Sequence, residues 1–178
     1  MEGHFQLASG KHSSVYVEKF RLLQYPRRTE ALCGMIAQRF QGLRPELVAG
    51  PTTGGIIISY EVARLLGVRG IFAEKAGGPD GRGGRAFQRG FEIARGERTL
   101  IVDDVLTTGG SVREVLEAVR QAGGEPVGLG VLVDRRGQRA GEGKEFGVPF
   151  FACLTLDLPA YEPGECPLCA EGTPLKVT

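Results

Sequence analysis

The sequence predicts an α/β protein, with a mostly parallel central sheet flanked by helices and a small hood made from the two ends of the chain. Three observations lead there. The apolar runs Leu47-Val48-Ala49, Thr99-Leu100-Ile101-Val102 and Val127–Val133 are continuous rather than alternating, which marks strands buried on both faces. Helical patterns alternate with these runs, as in βαβ units. With 178 residues, 42% of them hydrophobic and 24% charged, the chain is globular and long enough to bury a core without a disulfide or metal staple. One domain over 1–178 is expected, its hood drawn from about 1–28 and 155–178.

The elements follow in order. Leu32, Ile36 and Phe40 at i, i+4 spacing predict a helix over Thr29–Phe40, with Thr29 as N-cap and Gly42 as stop. Leu47–Ala49 is a strand that feeds the loop Gly50-Pro-Thr-Thr-Gly-Gly55. Ile56–Leu66 is a helix ended by Gly67, and Val68–Phe72 the next strand. Gly77–Arg89 is polar, glycine-rich and aperiodic, hence a loop. Thr99–Val102 is a strand that ends in Asp103-Asp104. From Ser111, residues Val112, Val115, Leu116 and Val119 share one helix face, which Gly123-Gly124 terminates. Val127–Val133 and Phe150–Leu154 are the last strands.

Composition excludes several classes. A net charge of +1 argues against a strongly basic nucleic-acid binder. No run approaches the ~20 apolar residues of a membrane span, and Met1–Gly10 has neither the basic nor the apolar region of a signal peptide. Four cysteines are too few for a disulfide scaffold. The expectation is therefore a cytoplasmic protein with neither membrane nor nucleic acid as partner. Arginine outnumbers lysine and asparagine is absent, which fits a hot environment and genome composition equally well. The 28 glycines cluster between apolar runs, as in tight loops that approach a ligand.

The segment Thr99-Leu-Ile-Val-Asp-Asp-Val-Leu-Thr-Thr-Gly-Gly-Ser111 carries the chemistry. In open α/β sheets ligands bind beyond the carboxyl ends of strands. A helix N-terminus with Thr107, Thr108, Gly109, Gly110 and Ser111 offers amides, hydroxyls and the positive end of a dipole, which suit a phosphate. Carboxylates repel phosphate, so Asp103 and Asp104 point to sugar hydroxyls or a divalent cation. A monophosphate, a ribose and Mg²⁺ would use every part of the segment. A Walker-type reading fails for lack of G-x-x-x-x-G-K-[ST], and a plain helix cap leaves the acidic pair unexplained.

Val102-Asp-Asp-Val-Leu-Thr-Thr-Gly-Gly-Ser111 resembles the phosphoribosyl pyrophosphate motif of type I phosphoribosyltransferases. Phe5-Gln-Leu-Ala-Ser-Gly-Lys-His-Ser-Ser-Val-Tyr16, Leu22-Leu-Gln-Tyr-Pro26, Phe72-Ala-Glu-Lys75 and Arg89-Gly-Phe91 resemble the orotate phosphoribosyltransferases within that class. The resemblance covers about Phe5 to Arg136 and implies a type I phosphoribosyltransferase-like fold. It implies transfer of the 5-phosphoribosyl group from phosphoribosyl pyrophosphate to orotate, with Mg²⁺ held mainly by substrate, in a homodimer. Asp103 and Asp104 would hold the ribose hydroxyls, and Val105, Leu106 and Thr107–Ser111 the 5′-phosphate. Thr52, Thr53 and Gly54, in the Gly50–Gly55 loop, would hold pyrophosphate on a strained backbone with a cis Thr52–Thr53 bond. Tyr16, Thr107 and Arg135 would meet orotate, Arg135 by pairing its carboxylate. Lys75 would be catalytic. Arg82, Arg85 and Arg89 would sit on a mobile loop, Gly77–Arg89, that closes over a neighbouring subunit's site. The chain departs from the family where Ala8 replaces a lysine, for which Lys11 is the substitute, and where the loop lacks a second lysine and a histidine.

Other readings stay open. A purine phosphoribosyltransferase would leave Arg135 without a carboxylate to bind. A non-catalytic sensor of phosphoribosyl pyrophosphate that binds DNA would need a helix-turn-helix for which the first 28 residues have no helical pattern. Turnover of orotate would exclude a sensor that binds RNA. His4 and His12 are the only histidines, and His12 reads as a surface residue. Cys166-Pro-Leu-Cys169 resembles half a zinc site, but with no second pair spaced to complete it, a reduced pair or a disulfide is expected. Cys33 reads as core. Phe87 and Phe91 around Arg89 resemble a nucleic-acid platform that the net charge does not support.

Overall fold

The computed structural model describes residues 1–7, 9–77, 83–137 and 143–177. The chain opens with a hairpin, β1 (Glu2–Gln6) and β2 (His12–Val15), then a helical turn, α1 (Phe20–Leu23), and a long helix, α2 (Pro26–Phe40). The first 28 residues are thus partly helical, contrary to expectation, because α1 is too short to show a period. Helix α2 starts three residues before the expected Thr29. Pro26 takes the first turn, where its missing N–H costs nothing. Thr29 is buried and donates its hydroxyl towards the Leu23 and Tyr25 carbonyls, both at 3.3 Å.

Next come β3 (Leu47–Pro51), α3 (Gly54–Leu66), β4 (Arg69–Lys75) and β5 (Arg85–Phe87), then β6 (Arg98–Leu106), α4 (Gly110–Gln121), β7 (Glu125–Asp134) and β8 (Phe150–Thr155). Gly67, at φ +69°, ends α3 as its position suggested. Strand β5 corrects the expectation of an irregular loop from Gly77 to Arg89: Arg85, Ala86 and Phe87 pair antiparallel with β4. The chain closes with a four-residue helix, α5 (Pro167–Ala170), and a two-residue strand, β9 (Lys176–Val177).

Six strands form the main sheet in the order β5-β4-β3-β6-β7-β8, with only β5 antiparallel. A smaller sheet, β2-β1-β9, builds the hood from both ends of the chain. No described helix is long and apolar enough to cross a membrane.

The unbroken apolar runs are explained by two cores, one on each face. Leu47, Ala49, Ile101, Leu129 and Val131 pack with Val112, Val115 and Val119 of α4. The alternate residues Val48, Leu100, Val102 and Leu132 pack with Ile36 and Phe40 of α2 and Ile58 and Val62 of α3. Side chains alternate with period two, so a strand covered on both faces is apolar at every position. On the α2 side β7 carries glycine instead. A Cβ at Gly128 would lie 2.6 Å from Phe40, and one at Gly130 2.6 Å from Ile36. These glycines let α2 bring its largest side chains against the sheet. Gly130→Ala should therefore cost about 1–3 kcal/mol through overpacking. Urea denaturation measures it, and an unchanged midpoint would show that α2 can shift freely.

Candidate active site

The chain runs outward from β3 to β4 and returns to β6 on the other side of β3. The loops that leave β3 and β6 diverge there, so a crevice opens at the carboxyl ends of the strands, where α/β sheets bind ligands. A cavity of about 370 Å³ lies at this place, lined by Thr52, Thr53 and Gly54 after β3, and by Asp103, Asp104, Thr107 and Ser111 from β6 and its loop. The hood closes it with Leu7, Ser9, Tyr16 and Lys19. An adjoining cavity of about 540 Å³ shares Leu7, Ser9, Thr107 and Arg135 and adds Arg113 and Arg136. A wider cleft of about 790 Å³, lined by Gly42–Glu46 and Arg98, lies at the opposite ends of the strands and holds neither the acidic pair nor the threonine loop.

Each site residue is placed by its element. Gly109, at φ +81°, turns the chain from β6 into α4, so the helix N-terminus faces the cavity beside Thr107 and Thr108. The Thr52–Thr53 peptide is cis. Asp103 and Asp104 are both buried. Asp103 Oδ1 accepts from the Asp104 amide at 2.8 Å, and Asp104 Oδ1 from that of Val105 at 2.6 Å. Burial first, and then the neighbouring Asp104, push Asp103 up to about 8. Burial also raises Asp104, opposed by Lys19, whose Nζ lies 3.4 Å from Asp104 Oδ2.

Arg135 is buried at the end of β7. Its Nη2 donates to Ser13 Oγ at 3.2 Å and to the Val15 carbonyl at 3.0 Å, both in the hood. Its Nε is buried without a hydrogen-bond partner. Burial lowers its pKa.

Residues 21–146 match the family model of the phosphoribosyl transferase domain. The chain is 49% identical over 175 residues to the orotate phosphoribosyltransferase of Caldanaerobacter subterraneus subsp. tengcongensis, an alignment that covers 98% of this chain and 87% of that one. The chain belongs to the orotate phosphoribosyltransferase family. It is also 44% identical over 176 residues to the Thermus thermophilus enzyme of that name, covering 99% and 92% of the two chains. The crystal structure of orotate phosphoribosyltransferase from Aeropyrum pernix superposes with a TM-score of 0.68 at 27% identity, covering 88% of this chain and 87% of that one. An adenine phosphoribosyltransferase from Thermoanaerobacter pseudethanolicus shares the fold, with a TM-score of 0.65 at 20% identity over 79% of this chain and 88% of that one.

Of the residues that the orotate phosphoribosyltransferase resemblance singled out, Thr52, Thr53, Gly54, Asp103, Asp104, Val105, Thr107, Ser111, Tyr16 and Arg135 line one cavity. Thr108 lines the adjoining one. Leu106 is instead a core residue, and Gly109 is buried below the loop it turns. Lys75 does not line the cavity: it is exposed at the end of β4, held at the sheet edge by pairing with Arg85. Arg82, Gly78, Gly81 and Ala8 lie outside the described residues.

Arg85 is not a free loop cation. It is buried, donating to Thr52 Oγ1 at 3.0 Å, the Ala73 carbonyl at 3.1 Å and Ser111 Oγ at 3.4 Å, and so it braces the loop after β3 against the start of α4. Arg89 is engaged by Glu74 at 2.8 Å, and Lys11 by Glu162 at 2.9 Å. Phe87 and Phe91 pack against the core rather than forming a platform. Lys19 was missed; its only sequence signal was a cation three residues beyond Tyr16 in the same segment.

The raised Asp103 fixes a sign for pH dependence. Its folded value lies above the unfolded one, so the folded state holds the proton more tightly. That stabilisation is complete below about pH 4 and is lost as pH rises through the folded value near 8. Asp103→Asn removes the loss. Its melting temperature should gain on that of the parent as pH goes from about 5 to about 8.5. A difference that does not change with pH would refute the burial argument.

Proposed function

We propose that the chain transfers the 5-phosphoribosyl group of phosphoribosyl pyrophosphate to orotate, forming orotidine 5′-monophosphate and pyrophosphate in pyrimidine nucleotide biosynthesis. The observation that carries this reading is the meeting, in one crevice, of a helix-terminal threonine loop, a buried acidic pair and an arginine with an unused donor. Thr107–Ser111 and the α4 N-terminus bind the 5′-phosphate through amides, hydroxyls and the dipole. Asp103 and Asp104 accept hydrogen bonds from the ribose hydroxyls, which suits carboxylates held at a fixed spacing by backbone N–H groups. The Thr52–Gly54 turn binds pyrophosphate. Arg135 pairs the orotate carboxylate, and Tyr16, tilted against Phe5 at 5.6 Å, packs on the pyrimidine.

The donors that line the crevice are carboxylate and hydroxyl oxygens, the ligands a hard cation prefers, so they fit Mg²⁺. Substrate oxygens would hold it for the most part, beside Asp103 and Asp104, and bound there it would neutralise charge on the departing pyrophosphate. As the glycosidic bond breaks, positive charge develops on the ribose, which favours the ionised form of the acidic pair beside it and is stabilised by it in turn. Lys19, beside Asp104, opposes the burial that raises that acid.

The resemblance also supports a homodimer, and the few cysteines fit one at work in the cytoplasm. Exposed Ile57 and Tyr60, beside Pro26 and Leu23, offer apolar surface that such a pairing would cover.

Asp104→Asn should lower turnover more than tenfold with the fold intact, as expected for a charged hydrogen bond worth ~1.5–3 kcal/mol. A spectrophotometric assay of orotate consumption with phosphoribosyl pyrophosphate and Mg²⁺ tests both this and the reaction itself. No consumption by the parent protein would sink the proposal, and near-parental turnover by the variant would remove the ribose role. Arg135→Ala should weaken orotate far more than phosphoribosyl pyrophosphate in isothermal titration. Equal losses would instead make Arg135 a structural residue.

A further inference from the structure

Contrary to the surface position expected for it, His12 is buried in the hood, and so are His4 and Cys166. Of the reduced pair and the disulfide expected for Cys166 and Cys169, the structure has the reduced pair: both are free thiols. The second half of the zinc-like pair is present, supplied by histidines far away in sequence. His4 Nε2, His12 Nδ1 and the two sulfurs all lie within 4.8 Å of one another. The histidine nitrogens are 3.1 Å apart. Cys166 Sγ and Cys169 Sγ lie 3.5 and 3.7 Å from His4 Nε2, and Cys169 Sγ lies 3.2 Å from His12 Nδ1. Ligands at ordinary zinc–nitrogen and zinc–sulfur lengths on a tetrahedron stand about 3.3–3.8 Å apart.

We propose that His4, His12, Cys166 and Cys169 form a structural zinc site that fastens the C-terminal segment to the β1–β2 hairpin. The ligand atoms are already prepared. His4 Nδ1 lies 2.7 Å from the Thr173 carbonyl, which only accepts, so Nδ1 carries the proton and Nε2 turns a bare lone pair to the cluster. Two sulfurs and two imidazoles in a four-ligand set select zinc over Mg²⁺ or Ca²⁺. Four protein ligands leave no open position, as in structural rather than catalytic sites. Cys169 is exposed and supplies the entry path.

The hood needs such a fastening. Its sheet has strands of five, four and two residues, and β9 is exposed. Phe5 is the only large apolar side chain buried in that sheet. So small an apolar core rarely holds by itself.

The test uses the untagged full chain, purified in reductant without chelator. Elemental analysis should find about one zinc per chain. Protein stripped by chelator should melt at a lower temperature and recover when zinc returns. It should bind about one equivalent of Co²⁺ with the visible spectrum of tetrahedral, thiolate-bound cobalt. Cys166→Ser/Cys169→Ser should lose the zinc and the spectrum. The proposal is overturned if parental protein neither carries zinc nor takes up Co²⁺. It is overturned equally if the double variant binds as the parent does, or if the parent purifies metal-free with Cys166 and Cys169 joined in a disulfide.

Discussion

A Cβ on Gly50 would lie 2.6 Å from the Gly55 carbonyl oxygen and 2.9 Å from that of Val102, and one on Gly54 would overlap Asp104 Oδ2. The end of β3 and the start of α3 therefore meet each other and β6 backbone to backbone, at the point where the strand order reverses. Everything around the crevice depends on that approach. It lets α3 begin directly after the Thr52–Thr53 turn and sets Asp104 against it. It also brings Thr52 and Ser111 close enough for one guanidinium, that of Arg85, to bond both. A side chain at any of these glycines would push β3 from β6 and open the brace. The conformational entropy that glycine costs is the condition for a close backbone approach.

The same contact creates an electrostatic burden. Two adjacent carboxylates are buried with Lys19 as the cation paired to one of them, and burial raises both. No structural gain offsets this. The backbone amides that bond one oxygen of each acid orient the pair more than they neutralise it. Perturbed acids in a crevice are the signature of a site shaped for something outside the protein, because hydroxyls or a cation can supply what the fold withholds. The free protein is thus less stable than it could be at neutral pH, in return for a site that needs little rearrangement to bind.

The regular part of the fold was legible because its signals are local. Continuous apolar runs and 3.6-residue periods identify β3, α3, β6, α4 and β7 to within a few residues. The Asp-Asp-x-x-Thr-Thr-Gly-Gly segment places the acids beside the helix terminus for the same reason. What was not legible depends on long-range contact. Arg85 looked like a loop cation because nothing nearby shows that Thr52 and Ser111 will converge on it. Strand β5 has three residues, too few for an alternation to register. The histidines His4 and His12 are separated from Cys166 and Cys169 by more than 150 residues of chain. The pairing of β1 with β9, and of His12 with Tyr161, brings them together.

That pairing ties the hood to the crevice. In β2, successive side chains point to opposite sides, so His12 faces the sulfurs while Ser13 faces Arg135. Ser13 Oγ also donates to the Pro159 carbonyl at 3.0 Å, and the His12 backbone exchanges two hydrogen bonds with Tyr161. The C-terminal segment therefore grips the hairpin at Ser13, which holds Arg135, and at the residue before it. The sheet is common to phosphoribosyltransferases for different bases, so it does not by itself choose the base. In the proposed assignment the choice falls to Arg135 and Tyr16, one held by β2 and the other just beyond its end. Any fastening of the hood, whether by hydrogen bonds or by the proposed metal, then acts on base recognition by fixing a four-residue strand in place.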